Sequence, residues 1–380
     1  MFQQKGTSPP LAGVRVLDLG RYHAAPRCAA ELGRLGAEVI KVEPIGGEES
    51  RLVGPQHGGV SIAWALQNSA KRSVAIDLRS EAGRGLLRRL APLSDVVVQN
   101  FRPGVIEEMG LAYEFLHAAN RRLILVNISG FGGSDRRPAF DPVLQATSGL
   151  MSLNGDPAGE PFLIPFPVVD RLAAMNATVA TLAALLETGR SGEGREIEVT
   201  LADAALSTVE TPLAAYLITG ETPERAGNAT GLGNAFACRD GQVYIGDYGS
   251  DRVFGRLARH LGRPGWPSEP RFSTRSARIE NSGLIEAALV NWCESLDVAV
   301  AVASLEAAEI PCGRVNDIPR AASKGAAGWD PRAALANHEG LRAHTRQAPR
   351  PGEHTDEVLT ALLGCSASEI SEMRQAGTIA

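Results

Sequence analysis

The sequence predicts an α/β protein, with a parallel sheet covered by helices in a large domain and a smaller α+β domain after it. Three observations predict this. The first third alternates short apolar strands with helical stretches, the pattern of a parallel sheet covered on both faces. The chain has 380 residues, too many for one ordinary core. The stretch ETPERAGNATGLGNA, 221–235, is rich in Gly, Pro, Asn and Thr and marks the clearest boundary.

The elements follow in order. VRVLDLG (14–20) is an apolar strand. APRCAAELGRLG (25–36) is a helix, with Pro26 suited to its first turn and Gly36 to its end. Further strands are AEVIKVE (37–43), SVAIDL (73–78), DVVVQNF (95–101) and LILVNISGF (123–131), with helical segments at 80–93 and 103–110 between them. DPVLQATSGLMSL (141–153) reads as one helix, and a long alanine-rich helix opens near Asp170. Residues 195–220 read as a strand and one long helix. Beyond the boundary, FACRDGQVYIGDY is a hairpin turning at Asp-Gly, and helices follow at 251–262 and 282–296. The pattern loosens over 323–350, as in a return linker, and the tail from 355 is helical. Linkers are therefore expected at 221–235 and 323–334.

A net charge of −5 argues against a broad basic surface for nucleic acid. Five scattered cysteines with no CxxC pair fit a reducing, cytoplasmic setting. No membrane span is expected, because no apolar run reaches the roughly 18 residues that one needs. The turn after the first strand is DLGRYHAAP rather than GxGxxG, and no GxxxxGK[ST] loop, GxSxG elbow or histidine metal spacing is present. Dehydrogenase, ATPase, serine hydrolase and metalloenzyme readings lose support accordingly.

Several phrases in fixed order carry a resemblance: LAGVRVLDLG, LGAEVIKVEP, AKRSVAIDLRSEAG, DVVVQNFRPG, ISGFGG, FDPVLQATSGLMSLNG, GRSGEGREIEVTLADAAL, IPCGRVNDI and APRPGEHTDEVL. Together they resemble the class III CoA-transferases, from about Leu11 to the C-terminus. The resemblance implies an interlocked homodimer, with a Rossmann-like large domain from 1–220 plus 335–380 and a small domain from 236–322 between those two parts. It implies acyl-CoA and a carboxylic acid as substrates, with no permanently bound cofactor. It also implies transfer of CoA through aspartyl anhydride and aspartyl-CoA thioester intermediates.

By that resemblance Asp170 matches the family's catalytic aspartate. Read alone, an aspartate opening a helix is an N-cap, worth about 1 kcal/mol. An ionised carboxylate is also an available nucleophile at neutral pH. His23, in RYHAAP, aligns with a residue that borders the active site and is expected near Asp170, touching an acyl or acceptor group. Ile76, Arg79, Asn100, Phe101 and Val105 match positions that line the nucleotide in formyl-CoA transferase. Tyr22, Ala24, Arg102 and Arg137 complete the expected CoA site, and Lys71, Arg72 and Arg136 are weighed as phosphate ligands against plain surface charge. Glu108 stands where formyl-CoA transferase has an arginine. Two other readings stay open. One is a 2-methylacyl-CoA racemase using Asp170 as acid/base, although Phe140 stands where racemases place a histidine. The other is a non-catalytic CoA-binding homologue.

Overall fold

The computed structural model describes residues 8–68, 70–229, 231–323 and 348–380. The expected linker over 324–334, residues 335–347 of the expected large domain, and Thr230 in the first linker lie outside the described residues. The chain divides into two compact units, Met1–Met151 with Leu163–Thr222 and Ala333–Ala380, and Ser152–Phe162 with Pro223–Arg332.

The first unit is built on six parallel strands: β1 (Arg15–Asp18), β2 (Glu38–Glu43), β3 (Arg72–Ala75), β4 (Val96–Gln99), β5 (Ile124–Ser129) and β6 (Glu196–Thr200). Their order is β3-β2-β1-β4-β5-β6. Side chains alternate across a strand, and here both faces are apolar. Val16, Val96, Val98, Ile124 and Val126 supply one core, while Leu17, Val97 and Leu125 supply the other. The first core is closed by α1 (Ala24–Arg34), α4 (Val168–Ser191) and α5 (Leu201–Thr208). Helix α2 (Glu81–Leu90) and the C-terminal helix Thr355–Leu363 close the second. The tail returns to edge strand β3. Thr355 Oγ1 accepts from the Ala75 amide at 3.1 Å, and Ile379 bridges to Ile76.

Three expectations change. The helix at 141–153 breaks into α3 (Asp141–Thr147) and a short turn Leu150–Leu153, because Gly149 takes φ +90°. The long helix after β6 breaks at Val209 into α5 and Glu210–Thr219. The expectation that no segment suits a membrane also needs correction. Helix α4 is long and apolar enough to span one by length and composition. It instead lends Val169, Ala173, Ala174, Ala177 and Ala184 to the core of the first unit. Alanine explains both facts, being apolar and small enough for close helix packing.

The second unit has an antiparallel sheet of β7 (Asn234–Cys238), β8 (Gly241–Ile245) and β9 (Cys312–Arg314), in the order β9-β8-β7. Its own core gathers Phe236, Val243, Ile245, Tyr248, Phe254 and Phe272.

Candidate active site

Strand order reverses between β1 and β4, so their outgoing loops part and leave a crevice at the carboxyl ends of the strands. The crevice is tied across by one side chain. Asn100 Oδ1 accepts from the Arg21 amide at 2.8 Å, and Asn100 Nδ2 donates to the Arg21 carbonyl at 2.9 Å. The next residue, Tyr22, takes φ 61°, a left-handed conformation that costs a bulky residue on the order of 1–3 kcal/mol. Its hydroxyl donates to Glu49 at 2.7 Å, and its ring meets Phe140 edge-on at 6.2 Å. These contacts hold the strain and aim His23 and Ala24 at the crevice.

Beneath the loop lies a buried ion network. Lys71 Nζ donates to Asp18 and to the Pro26 carbonyl, each at 2.7 Å, and Lys41 Nζ donates to the Gly20 carbonyl at 2.7 Å. Burial alone would raise the Asp18 pKa, but the Lys41 and Lys71 charges, with hydrogen bonds from Lys71 and the Gly20 amide, hold it below its ordinary value. Burial lowers Lys71 to about 8. Lys71, weighed as a phosphate ligand, is therefore an internal counter-ion. Arg72 is likewise engaged by Glu38 and Glu357.

Asp170 lies in the first turn of α4 and does not cap it. Asp141, from α3, does. Its Oδ2 accepts from the amides of Val169 at 2.6 Å and Asp170 at 3.0 Å. Gln145 Nε2 donates to the other Asp141 oxygen at 2.6 Å, and Gln145 also clamps the backbone of Ile164. The cap expected of Asp170 is thus supplied from 29 residues upstream. Among the described residues, no hydrogen bond engages the Asp170 carboxylate. Burial, with the Asp141 charge added, raises its pKa to about 7.

Two cavities meet at this carboxylate. The first, about 460 Å³, occupies the crevice, and Arg21–Ala24, Asn100–Pro103, Val105, Arg137 and Asp170 line it. The second, about 560 Å³, is bounded by Trp64, Gln67, Leu163 and Phe166. Tyr22, His23, Phe140 and Asp170 line both. The structure therefore brings together Tyr22, His23, Ala24, Asn100, Phe101, Arg102, Val105, Arg137 and Asp170. Ile76 and Arg79 line neither cavity. Ile76 is fully buried against the returning tail, and Arg79 is exposed. Arg137 stacks on Phe131 at 4.1 Å and pairs with Asp135 at 2.7 Å. Arg136 reaches Glu108 at 3.5 Å, so the acidic residue has its own local counter-ion.

His23 is neutral near pH 7. Burial, then the Arg171 and Arg27 charges, lowers its pKa to about 4. Gln67 Nε2 lies 2.8 Å from its Nδ1, and with that amide donating, the ring proton sits on Nε2. That Nε2 is buried and has no partner among the described residues. Trp64, Gln67, Phe166 and Asp141 were not singled out as site residues from sequence. FLIPFPVV (162–169), apolar yet proline-broken, was the one available signal of a cavity wall.

Known proteins resemble this chain in sequence and fold. The profile of CoA-transferase family III matches residues 11–355. The chain belongs to that family. A succinyl-CoA–D-citramalate CoA-transferase of Chloroflexus aurantiacus is 36% identical, over 80% of this chain and 78% of its own. A succinate–glutarate CoA-transferase of Agrobacterium fabrum is 32% identical over 95% and 98%. A CaiB/BaiF family crystal structure from Brucella suis superposes with TM-score 0.76 at 29% identity, covering 94% of this chain and 100% of its own. A hypothetical protein from Mycobacterium tuberculosis reaches TM-score 0.80 at 29% identity, over 93% and 100%. This family member is accordingly an enzyme of the CoA-transferase class, and CoA thioesters are its class of substrate.

Proposed function

We propose that the enzyme moves CoA from an acyl-CoA donor to a carboxylic acid, with Asp170 as the nucleophile. The observation that carries this is the division of labour at the start of α4. Asp141 takes the capping hydrogen bonds, so the Asp170 carboxylate stands free on the wall common to two cavities. A cap would be immobilised by its hydrogen bonds, whereas a free carboxylate can attack.

The steps balance as follows. An Asp170 oxygen adds to the thioester carbonyl, and CoA thiolate leaves, giving an acyl-aspartyl anhydride. The thiolate then attacks the Asp170 carbonyl, releasing the donor acid and leaving an aspartyl-CoA thioester. The acceptor carboxylate attacks that carbonyl and expels thiolate. The thiolate finally attacks the acceptor acyl carbon, regenerating Asp170. The neutral His23, with its proton on Nε2, is suited to donate to the oxyanion that develops at an acyl carbon. In the crevice cavity, Arg102 and Arg137 would meet phosphate, Phe101 and Val105 the apolar arm, and Tyr22 and Ala24 the thioester end. Asn100 holds the loop. Arg79 and Ile76 remain proposed nucleotide neighbours on the resemblance alone.

The same proposal includes an interlocked homodimer in the cytoplasm. What supports the dimer is the exposed apolar surface of α4 and of Glu210–Thr219, where Val179, Leu186, Leu217 and Ile218 are solvent-facing. All five cysteines are free, as a reducing compartment would keep them. The test is to incubate the protein with a panel of acyl-CoAs, trap with hydroxylamine and locate the adduct by mass spectrometry. A hydroxamate at Asp170 is expected. Proton exchange at the α-carbon of a 2-methylacyl-CoA, with no adduct, would instead assign a racemase.

A further inference from the structure

The cavity bounded by Trp64 and Phe166 has a composition that selects among acids. Its walls are the aromatic rings of Tyr22, Trp64, Phe140 and Phe166, with prolines and Leu163 between them. Among the described residues that line it, none is lysine or arginine. Its charged groups are the two carboxylates, Asp141 and Asp170.

The cations nearest the wall do not line the cavity. Arg51 stacks on Trp64 at 3.7 Å, but its guanidinium is held by both Glu43 oxygens, at 2.6 and 2.7 Å, and by the Pro349 carbonyl at 2.9 Å. Arg21 faces Glu49 at 3.4 Å. Arg171 follows Asp170 in sequence yet lines neither cavity. His23 is neutral and has one ring nitrogen committed to Gln67.

Resting on the nucleophile reading above, we infer that this cavity takes the acyl chain of an apolar monocarboxylic acid, aromatic or branched, and rejects dicarboxylic acids. The two curated relatives above are named for succinate, citramalate and glutarate, acids whose second carboxylate needs a cation or a set of donors. Here that second carboxylate would find no cation, only the Ser50 and Ser61 hydroxyls and the neutral His23 ring set among the aromatic walls, and it would face two like charges. An apolar chain loses nothing on entering and gains burial. Four aromatic rings also match the faces and edges of an aryl group.

Each acyl-CoA is incubated with its own isotopically labelled free acid, so one experiment tests the acid as both donor and acceptor. Phenylacetyl-, isovaleryl- and hexanoyl-CoA are compared with succinyl- and glutaryl-CoA. The apolar acids are expected to exchange with a kcat/KM on the order of 100-fold higher. Val53 lines the same cavity and is largely exposed, so Val53→Arg introduces a cation without disturbing the core. That variant is expected to raise succinyl exchange about tenfold and to lower phenylacetyl exchange. Succinyl or glutaryl exchange equal to or faster than the apolar set overturns the inference and leaves the transfer mechanism standing. Absence of exchange and of any Asp170 adduct across the whole panel overturns both.

Discussion

The two cavities that meet at Asp170 are walled by different chemistry. The crevice cavity is made by loops leaving adjacent strands, and it presents Arg102, Arg137 and exposed backbone. The other is made by a helix and a proline-broken segment, and it presents rings and two carboxylates. One side suits a phosphorylated, polar carrier, and the other suits the group being carried. On the proposed reading, the parallel sheet would supply the general half of the site, at its switch point. Segments outside the sheet would supply the selective half. Asp170 sits between, kept free by Asp141.

The comparison breaks most completely at its junction. Asp170→Asn is expected to lower turnover by at least about 1000-fold, read from initial rates. The same change is expected to stabilise the fold at pH 8. Asp170 has a pKa of about 7 against an ordinary 3.8, so its ionisation costs the folded state stability, and that cost grows as pH rises between the two values. Calorimetry should show a higher Tm for the variant at pH 8, by the equivalent of a few kcal/mol at most, and no difference near pH 3.

The pH dependence sharpens the same point. Nucleophilic attack needs the ionised carboxylate, so kcat/KM should rise with pH and level off above about 7. Asp141→Asn removes one of the two causes of that elevation and also weakens the cap. Its rate limb should move to lower pH, while the protein loses about 1 kcal/mol of stability. An unmoved limb would mean that burial alone sets the Asp170 pKa.

On the crevice side, Arg137→Ala should raise KM for acyl-CoA roughly tenfold with little change in kcat, since phosphate binding is equal in ground and transition states. A drop in kcat at constant KM would place Arg137 at the reacting end instead. The smallest effect is expected for His23→Gln in stability. His23 has a pKa of about 4 against an ordinary 6.5, so the folded state loses stability as pH falls from 6.5 toward 4. The variant should lose less over that range, as followed by thermal melts.

Much of the carrier side was legible in the sequence, because it is made of strand ends and the loops that leave them. DLGRYH and QNFRPG follow apolar strands directly, and position after a strand is a local property. The roles within those loops were less legible. Asn100 ties the Arg21 backbone, and Ile76 packs against the C-terminal tail, both through contacts far apart in sequence. Lys71 resembles a phosphate ligand in any linear reading, and only burial beside Asp18 shows its role. The capping of α4 by Asp141 is tertiary, and it reverses the local expectation that Asp170 is the cap. The selective cavity was not visible, since IAWALQN and FLIPFPVV carry no motif and become a wall only when the chain folds.

The central claim is that Asp170 exchanges an oxygen with its substrates in every turnover. The most direct test supplies the fastest acyl-CoA pair with acceptor acid doubly labelled with ¹⁸O, and weighs the peptide containing Asp170. The acceptor oxygen that attacks the aspartyl thioester stays with the aspartate when thiolate takes the acyl group. One ¹⁸O is therefore expected in Asp170 after a single turnover, and up to two after many. An unlabelled Asp170 after many turnovers would contradict covalent catalysis by this residue.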